Sequence, residues 1–407
     1  MHNTPRGNRL HIAIFGRRNA GKSSLINAIT NQNIALVSDI AGTTTDPVYK
    51  AMELLPIGPV VIIDTAGIDD VGPLGELRVE KSKEILKKAD IVLLVIDATK
   101  GITNFEQELI KECQRVQLPV VAVINKIDQR PLTAGDVATY SNDLSVPAVA
   151  VSATTGKGIA DLKLAIIRYA PKSWDDNAII GDLLSPGDTV VLVTPIDSAA
   201  PKGRLILPQV QTIRDILDHD GVTVVTKETE LKQSLANLKG KPKMVITDSQ
   251  AFAKADADTP KEILLTSFSI LFARYKGDLE TLVAGARAID KLKSGDKVLV
   301  AEACTHHRVE DDIGTVKIPN WLRKHVGGEL QFEWVSGTKF PDDLSEYKLV
   351  LHCGACMINR REMLARIMQV QGAGVPVVNY GVAIAYLHGI LRRALSPFPH
   401  LVKMLDE

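Results

Sequence analysis

The sequence predicts an α/β protein of three domains, each with a largely parallel sheet and flanking helices, and three observations carry that expectation. Residues 10–170 alternate short, near-continuous apolar runs with amphipathic stretches of helical period. Such runs read as strands buried on both faces of a parallel sheet, with helices as the crossovers. Pro171-Lys-Ser-Trp174 interrupts the pattern, and two further sets of four apolar runs follow it. The expected domains are therefore 1–171, 175–266 and 267–407.

The strands expected in the first set are Leu10–Phe15, Val60–Asp64, Ile91–Ile96, Val120–Asn125 and Pro147–Val151. In the second they are Thr189–Val193, Val222–Val225, Met244–Thr247 and Ile263–Thr266, with helices over Gln209–Asp218 and Glu228–Leu238. Four short strands leave two open sheet edges, which are templates for pairing with another chain. Edge-to-edge pairing of two copies would make one eight-stranded sheet, so a homodimer through the middle domain is expected. A long helical stretch, Ser269–Leu292, leads into the third set: Lys297–Ala301, Gln331–Val335, Lys348–Leu351 and Val375–Asn379. Helices over Ile358–Gln371 and Val382–Leu395 cover it.

Composition narrows the function. The 407 residues carry 48 basic and 48 acidic side chains, and a large nucleic-acid surface usually leaves a basic excess. Aromatic content of 4% also offers little material for stacking bases, so nucleic acid is not the expected partner. No apolar run approaches a membrane span, and Ile12–Phe15 is far too short for a signal-peptide core. Four cysteines in a chain of this length do not make a disulfide scaffold, and a cytoplasmic location is expected.

Gly16-Arg-Arg-Asn-Ala-Gly21-Lys22-Ser23 follows an expected strand and opens a helix. That is the setting in which G-x-x-x-x-G-K-[ST] wraps phosphates with backbone N–H groups. Asn19, Ala20, Gly21 and Ser24 line such a loop, and Lys22 places its charge on the β- and γ-phosphates. Ser23 offers a hydroxyl to magnesium, and Asp64, opening Asp64-Thr-Ala-Gly67, holds the same ion through water. Gly67 lets the backbone approach the γ-phosphate. Asn125-Lys126-Ile-Asp128 ends a strand, and the Asp128 carboxylate can accept from guanine N1 and N2, groups that adenine lacks. Ser152 and Ala153 can support guanine O6 from the backbone. The expected cofactors are GTP and magnesium.

The order and spacing of these motifs resemble translation-factor-class GTPases. Asn19-Ala-Gly-Lys-Ser-Ser24 and Gly42-Thr-Thr-Thr-Asp46 resemble their TrmE/Era branch. The resemblance implies that Asn19 coordinates potassium beside the phosphates, and that one of Thr43, Thr44 and Thr45 closes on magnesium; Thr44 is favoured. Lys22 and Thr44 are the residues expected to act in hydrolysis. Ile68 stands where a Ras-like GTPase carries its water-orienting glutamine, so intrinsic hydrolysis should be slow.

Three of the four cysteines lie in Cys304-Thr-His306 and His352-Cys353-Gly-Ala-Cys356, each behind an expected strand. Ligands in open α/β sheets gather at the carboxyl ends of strands, so the two motifs meet if the strands are neighbours. Thiolate and imidazole suit zinc or iron–sulfur centres. A structural Cys3His zinc site and buried, inert thiols are the competing readings. Cys113, on a helix of the first domain, is read as an ordinary core residue.

Taken together, the GTPase motifs, the middle stretches Val190–Asp197, Gly203–Pro208 and Ile263–Phe268, and Cys-x-His…His-Cys-x-x-Cys resemble the HydF family of FeFe-hydrogenase maturases. The resemblance covers essentially the whole chain. It implies a 4Fe–4S cluster on Cys304, Cys353 and Cys356, and a scaffold that passes a di-iron subcluster precursor to apo FeFe-hydrogenase. The partners implied are that hydrogenase and the radical-SAM maturases HydE and HydG. Three thiolates leave one iron for a weaker ligand: His352, which is slightly favoured, His306, water or a carboxylate. A second functional class stays open, a TrmE/Era-like GTPase acting on RNA or the ribosome with a structural zinc tail.

Overall fold

The computed structural model describes residues 6–30, 48–55, 57–65, 75–171, 178–196, 205–303, 312–337 and 340–405. It divides into two compact units, Met1–Asp176 and Asn177–Glu407.

The first unit holds a six-stranded sheet. Its strands are β1 (Leu10–Phe15), β2 (Val48–Leu54), β3 (Gly58–Asp64), β4 (Ile91–Asp97), β5 (Val120–Asn125) and β6 (Ala148–Ala150), in the order β2-β3-β1-β4-β5-β6. Central β4 is buried at every position, which is why its sequence is an unbroken apolar run closed by one aspartate. Alternate residues feed two apolar layers. Ile12, Ile14, Leu93 and Val95 pack with the helices Lys22–Thr30 and Ile159–Tyr169. Phe15, Val92, Leu94 and Ile96 pack with the helix Asn104–Arg115, and Cys113 sits in that layer as a core residue.

All pairs in this sheet are parallel except β2 with β3. β2 is absent from the expected strands. It is an antiparallel edge strand, partly exposed, so its residues alternate with charges and give no apolar run.

The second unit holds two four-stranded sheets. The first comprises β7 (Thr189–Val193), β8 (Val222–Thr226), β9 (Met244–Thr247) and β10 (Leu264–Ser267), in the order β10-β9-β7-β8. The second comprises β11 (Lys297–Glu302), β12 (Gln331–Ser336), β13 (Leu349–His352) and β14 (Val377–Asn379), in the order β12-β11-β13-β14. Every pair is parallel. Both sheets repeat one succession: second strand, first, third, fourth. Their buried side chains form one apolar core.

The helical stretch 269–292 is not one helix. Phe268–Lys276 ends at Gly277, Asp278 caps Leu279–Ala284 by accepting from the Glu280 and Thr281 N–H groups, and Gly285–Lys291 continues as a 3₁₀ turn. The backbone passes against β14 at Gly285, where a Cβ would sit 1.9 Å from the Val377 carbonyl oxygen. Likewise the stretch 382–395 divides into Tyr380–Leu387 and Leu391–Ala394, with Gly389 at φ 71° between them. Among the described residues no helix is long and apolar enough to cross a membrane.

Candidate nucleotide site and candidate metal centre

The phosphate loop joins β1 to the helix Lys22–Thr30. Asn19 takes left-handed backbone (φ 64°) and is exposed, as are Ser23 and Ser24 at the start of the helix. Lys22 is buried, and its ammonium donates to the Gly16 carbonyl and, at 3.4 Å, to that of Arg17. Arg17 is turned away from the phosphate position: its guanidinium bonds buried Glu106 at 2.7 Å and the Gly101 carbonyl at 2.6 Å. Asp64 is buried at the end of β3.

The residues expected to recognise the base come from the ends of β5 and β6, and Asn125 ties them to the loop. Its Nδ2 donates to the Ala20 carbonyl (2.9 Å) and its Oδ1 accepts from the Ala153 N–H (3.1 Å). Gly21 lies against that amide: a Cβ there would be 2.4 Å from Asn125 Nδ2. Ser152 Oγ donates to Asp128 Oδ1 at 2.6 Å, which aims the carboxylate. Lys126 is paired with Asp97 at 2.6 Å. Burial works against the Asp97 charge, but hydrogen bonds from Lys126 and Thr99 outweigh it and hold that carboxyl below its ordinary value. The Asp97 partner of Lys126 was not among the expected site residues; its position at the carboxyl end of β4 is the signal that points to it. Thr43, Thr44, Thr45, Gly67 and Ile68 lie outside the described residues.

β11 and β13 are neighbours, with Ala301 opposite His352. The first two motif-bearing strands therefore meet at the point where the strand order reverses, the place where open α/β sheets bind ligands. The Ala303 N–H donates to Cys353 Sγ at 3.1 Å, so the residue next to Cys304 already touches the Cys353 sulfur. Cys304 and His306 themselves lie outside the described residues. Cys353 and Cys356 are partly buried on a turn that passes through Ala355 at φ 54°. Among the described residues no group of three His, Cys, Asp or Glu side chains is placed to hold a metal ion. The two described thiols are soft donors of the kind a metal cluster takes, and one already receives a backbone N–H.

His352 is buried and committed. Its Nδ1 donates to the Cys353 carbonyl at 2.9 Å, and its Nε2 accepts from Arg366 at 3.3 Å. Burial, reinforced by the Arg366 guanidinium, pushes the imidazole down to about 3, so it is neutral at physiological pH. Arg366 also bonds Glu362 at 3.0 Å and the Gly337 carbonyl at 2.8 Å. Burial pushes the Cys356 thiol up, and the Lys276 ammonium partly offsets this. Sequence reasoning pointed to neither Arg366 nor Lys276, since helix positions with no motif give no such signal.

Family models match three stretches of the chain. Residues 280–397 match the hydrogen maturase F tetramerization domain, and residues 179–277 match the hydrogen maturase F dimerization domain. Residues 11–126 match the 50S ribosome-binding GTPase model. Among curated proteins, the tRNA modification GTPase MnmE of Desulfotalea psychrophila is 36% identical over 180 residues, 43% of this chain and 38% of that protein. GTPase Der of Streptococcus pyogenes is 32% identical over 211 residues, 51% of this chain and 48% of its own length. The chain thus spans less than half the length of these relatives. Among solved structures, Era of Aquifex aeolicus with GDP·AlF4− is 22% identical, with a TM-score of 0.35 over 53% of this chain and 93% of that one.

Proposed function

The chain belongs to the hydrogen maturase F family, and from that premise we propose that it is a GTP-hydrolysing scaffold that binds a 4Fe–4S cluster and delivers a di-iron subcluster precursor to apo FeFe-hydrogenase. The observation that supports this is the contact of the Ala303 N–H, at the end of β11, with Cys353 Sγ.

Hydrolysis is phosphoryl transfer to water, driven by positioning and electrostatics. Lys22 and the loop N–H groups hold the phosphates, and Ser23 and Asp64 hold magnesium, with Thr44 closing on it. Asn125 keeps Asp128, Ser152 and Ala153 in register with the loop, so guanine recognition and phosphate binding form one rigid assembly. Asn19 coordinates potassium, whose charge assists where no glutamine orients water, and hydrolysis without it is slow.

Cys304, Cys353 and Cys356 hold the cluster. Three thiolates leave one iron for an exchangeable ligand, which is the chemistry a carrier requires. His352 would take that position only by giving up Arg366, whereas His306, water or a carboxylate would not. Nucleotide state sets affinity for the hydrogenase and for HydE and HydG, and the protein works in the cytoplasm as a homodimer through its middle domain. Equal partner affinity in the GTP and GDP states would remove that coupling. The deciding experiment on the centre is anaerobic purification and reconstitution, read by iron and sulfide content, absorbance and electron paramagnetic resonance. Brown protein with about four irons is expected; a colourless protein holding one zinc would overturn the reading.

A further inference from the structure

The pattern G-x-x-x-x-G-K-[ST] leaves its second position free, so nothing in the motif asks for Arg17. The fold nevertheless gives that side chain a built seat. The guanidinium meets Glu106, whose side chain is 0% exposed, at 2.7 Å, and the Gly101 carbonyl at 2.6 Å. Glutamate is almost never buried so completely unless it is paired. Both Glu106 oxygens are used. Oε1 accepts from Arg17, and Oε2 accepts from the Thr103 N–H at 2.8 Å and from its hydroxyl at 2.6 Å, closing the capping box of the helix Asn104–Arg115. Gly101 in turn donates its N–H to the Asp97 carbonyl at 3.0 Å, in the turn whose carboxylate holds Lys126.

The backbone of Arg17 organises the rest of the loop. Its carbonyl accepts from the Ala20 N–H at 3.1 Å and from the Lys22 ammonium at 3.4 Å. The preceding residue, Gly16, lies against β4, where a Cβ would stand 2.4 Å from the Val95 carbonyl oxygen. Asn125 holds the far side of the loop through the Ala20 carbonyl. The loop is therefore fixed from two sides, and on one of them by a side chain turned away from the phosphate position.

We propose that Arg17 is a positioning residue for the phosphate loop: its ion pair with Glu106 presets the loop N–H groups, and so sets affinity for the phosphates of GDP and GTP but not for guanine. This rests on the reading that the loop takes those phosphates. A loop already held in its binding conformation loses less freedom when the ligand arrives, and the difference appears as affinity.

The test uses full-length protein as wild type, Arg17→Met, Glu106→Gln and the double variant. Glu106→Gln keeps an acceptor for the capping box while removing the charge that Arg17 meets. Affinities for GDP with magnesium, and for guanosine, are measured by competition against a fluorescent GDP analogue. Each single variant should weaken GDP binding about tenfold, the scale of one charge-assisted hydrogen bond. The double variant should be no weaker than either, because both changes remove the same contact. Guanosine, which carries no phosphate, should bind all four proteins alike. Equal GDP affinity in wild type and Arg17→Met overturns the inference. So do losses that add in the double variant, and so does a parallel loss for guanosine, which marks general damage to the domain. If Arg17→Met does not fold, judged by circular dichroism, Glu106→Gln against wild type decides by the same comparison of GDP with guanosine. Wild-type protein that binds no GDP removes the proposed nucleotide site, and this inference with it.

Discussion

Asn125 shows how much one side chain can organise: its two amide atoms hold the phosphate loop and the Ser152–Ala153 loop in one register. Lys22→Ala removes the charge proposed to meet the phosphates and should lower GTP turnover by about 10²-fold or more, on the scale of losing a preorganised electrostatic contact. Its iron content should match wild type. Asp128→Asn replaces an acceptor with an amide whose N–H groups face the guanine N–H groups. GTP affinity should fall by about 10⁴-fold, and xanthosine triphosphate, with a carbonyl at C2, should bind the variant better than GTP does. Nucleotide titration of both ligands checks the exchange. Asp97 gives a pH signature. Its carboxyl titrates below its ordinary value of 3.8, so its pair with Lys126 contributes fully above that value and loses its contribution as the pH falls through the lower folded value. Asp97→Asn should therefore cost thermal stability at pH 7 and progressively less below pH 3.8. The motif residues of this site were legible because each needs a fixed residue type at a strand end. Lys276 and Arg366 were not, because burial and partnership are set by packing.

Among elements, β8 and β10 are the two edges of the middle sheet, and they are not equivalent. The outer side of β10 is occupied: Ser396 Oγ accepts from the Leu265 N–H at 3.0 Å and donates to its carbonyl at 3.1 Å. β8 carries Val222 and Val225 at 50% and 45% exposure and, among the described residues, pairs with β7 alone. Of the two edges predicted to be open, β8 is the one left without a pairing partner on its outer side among the described residues. Val225→Lys should shift the proposed homodimer toward monomer by at least about tenfold in dissociation constant, since charge on an edge strand opposes pairing. Ser396→Ala should leave it unchanged, and light scattering across a dilution series separates the two. Helix interruptions were harder to foresee. Gly277 and Gly285 gave no reason for a break in sequence alone; the break exists because the chain must turn and pass within contact of β14.

At the level of the molecule, the nucleotide loops and the cysteine turn belong to different compact units with separate cores. Calorimetry should therefore resolve two unfolding transitions. GTP with magnesium at 100 times its dissociation constant should stabilise one of them by about 2.7 kcal/mol and leave the other in place. The two sheets of the second unit should melt together, because their side chains share one core. Cys353→Ala should abolish binding of the proposed cluster while GTP hydrolysis persists.

The sequence by itself determined the α/β class, the parallel strands, the GTP motifs and the pairing of nucleotide site with cysteine motifs. Those features rest on local rules: apolar runs, glycines at loops, ligand types behind strands. It also carried the family resemblance that the domain matches bear out. Tertiary structure alone decided that β11 and β13 are neighbours, that the outer side of β10 is occupied by Ser396, and that Lys276 and His352 are buried. Each depends on which distant residues meet across a shared core, and no local pattern encodes those meetings.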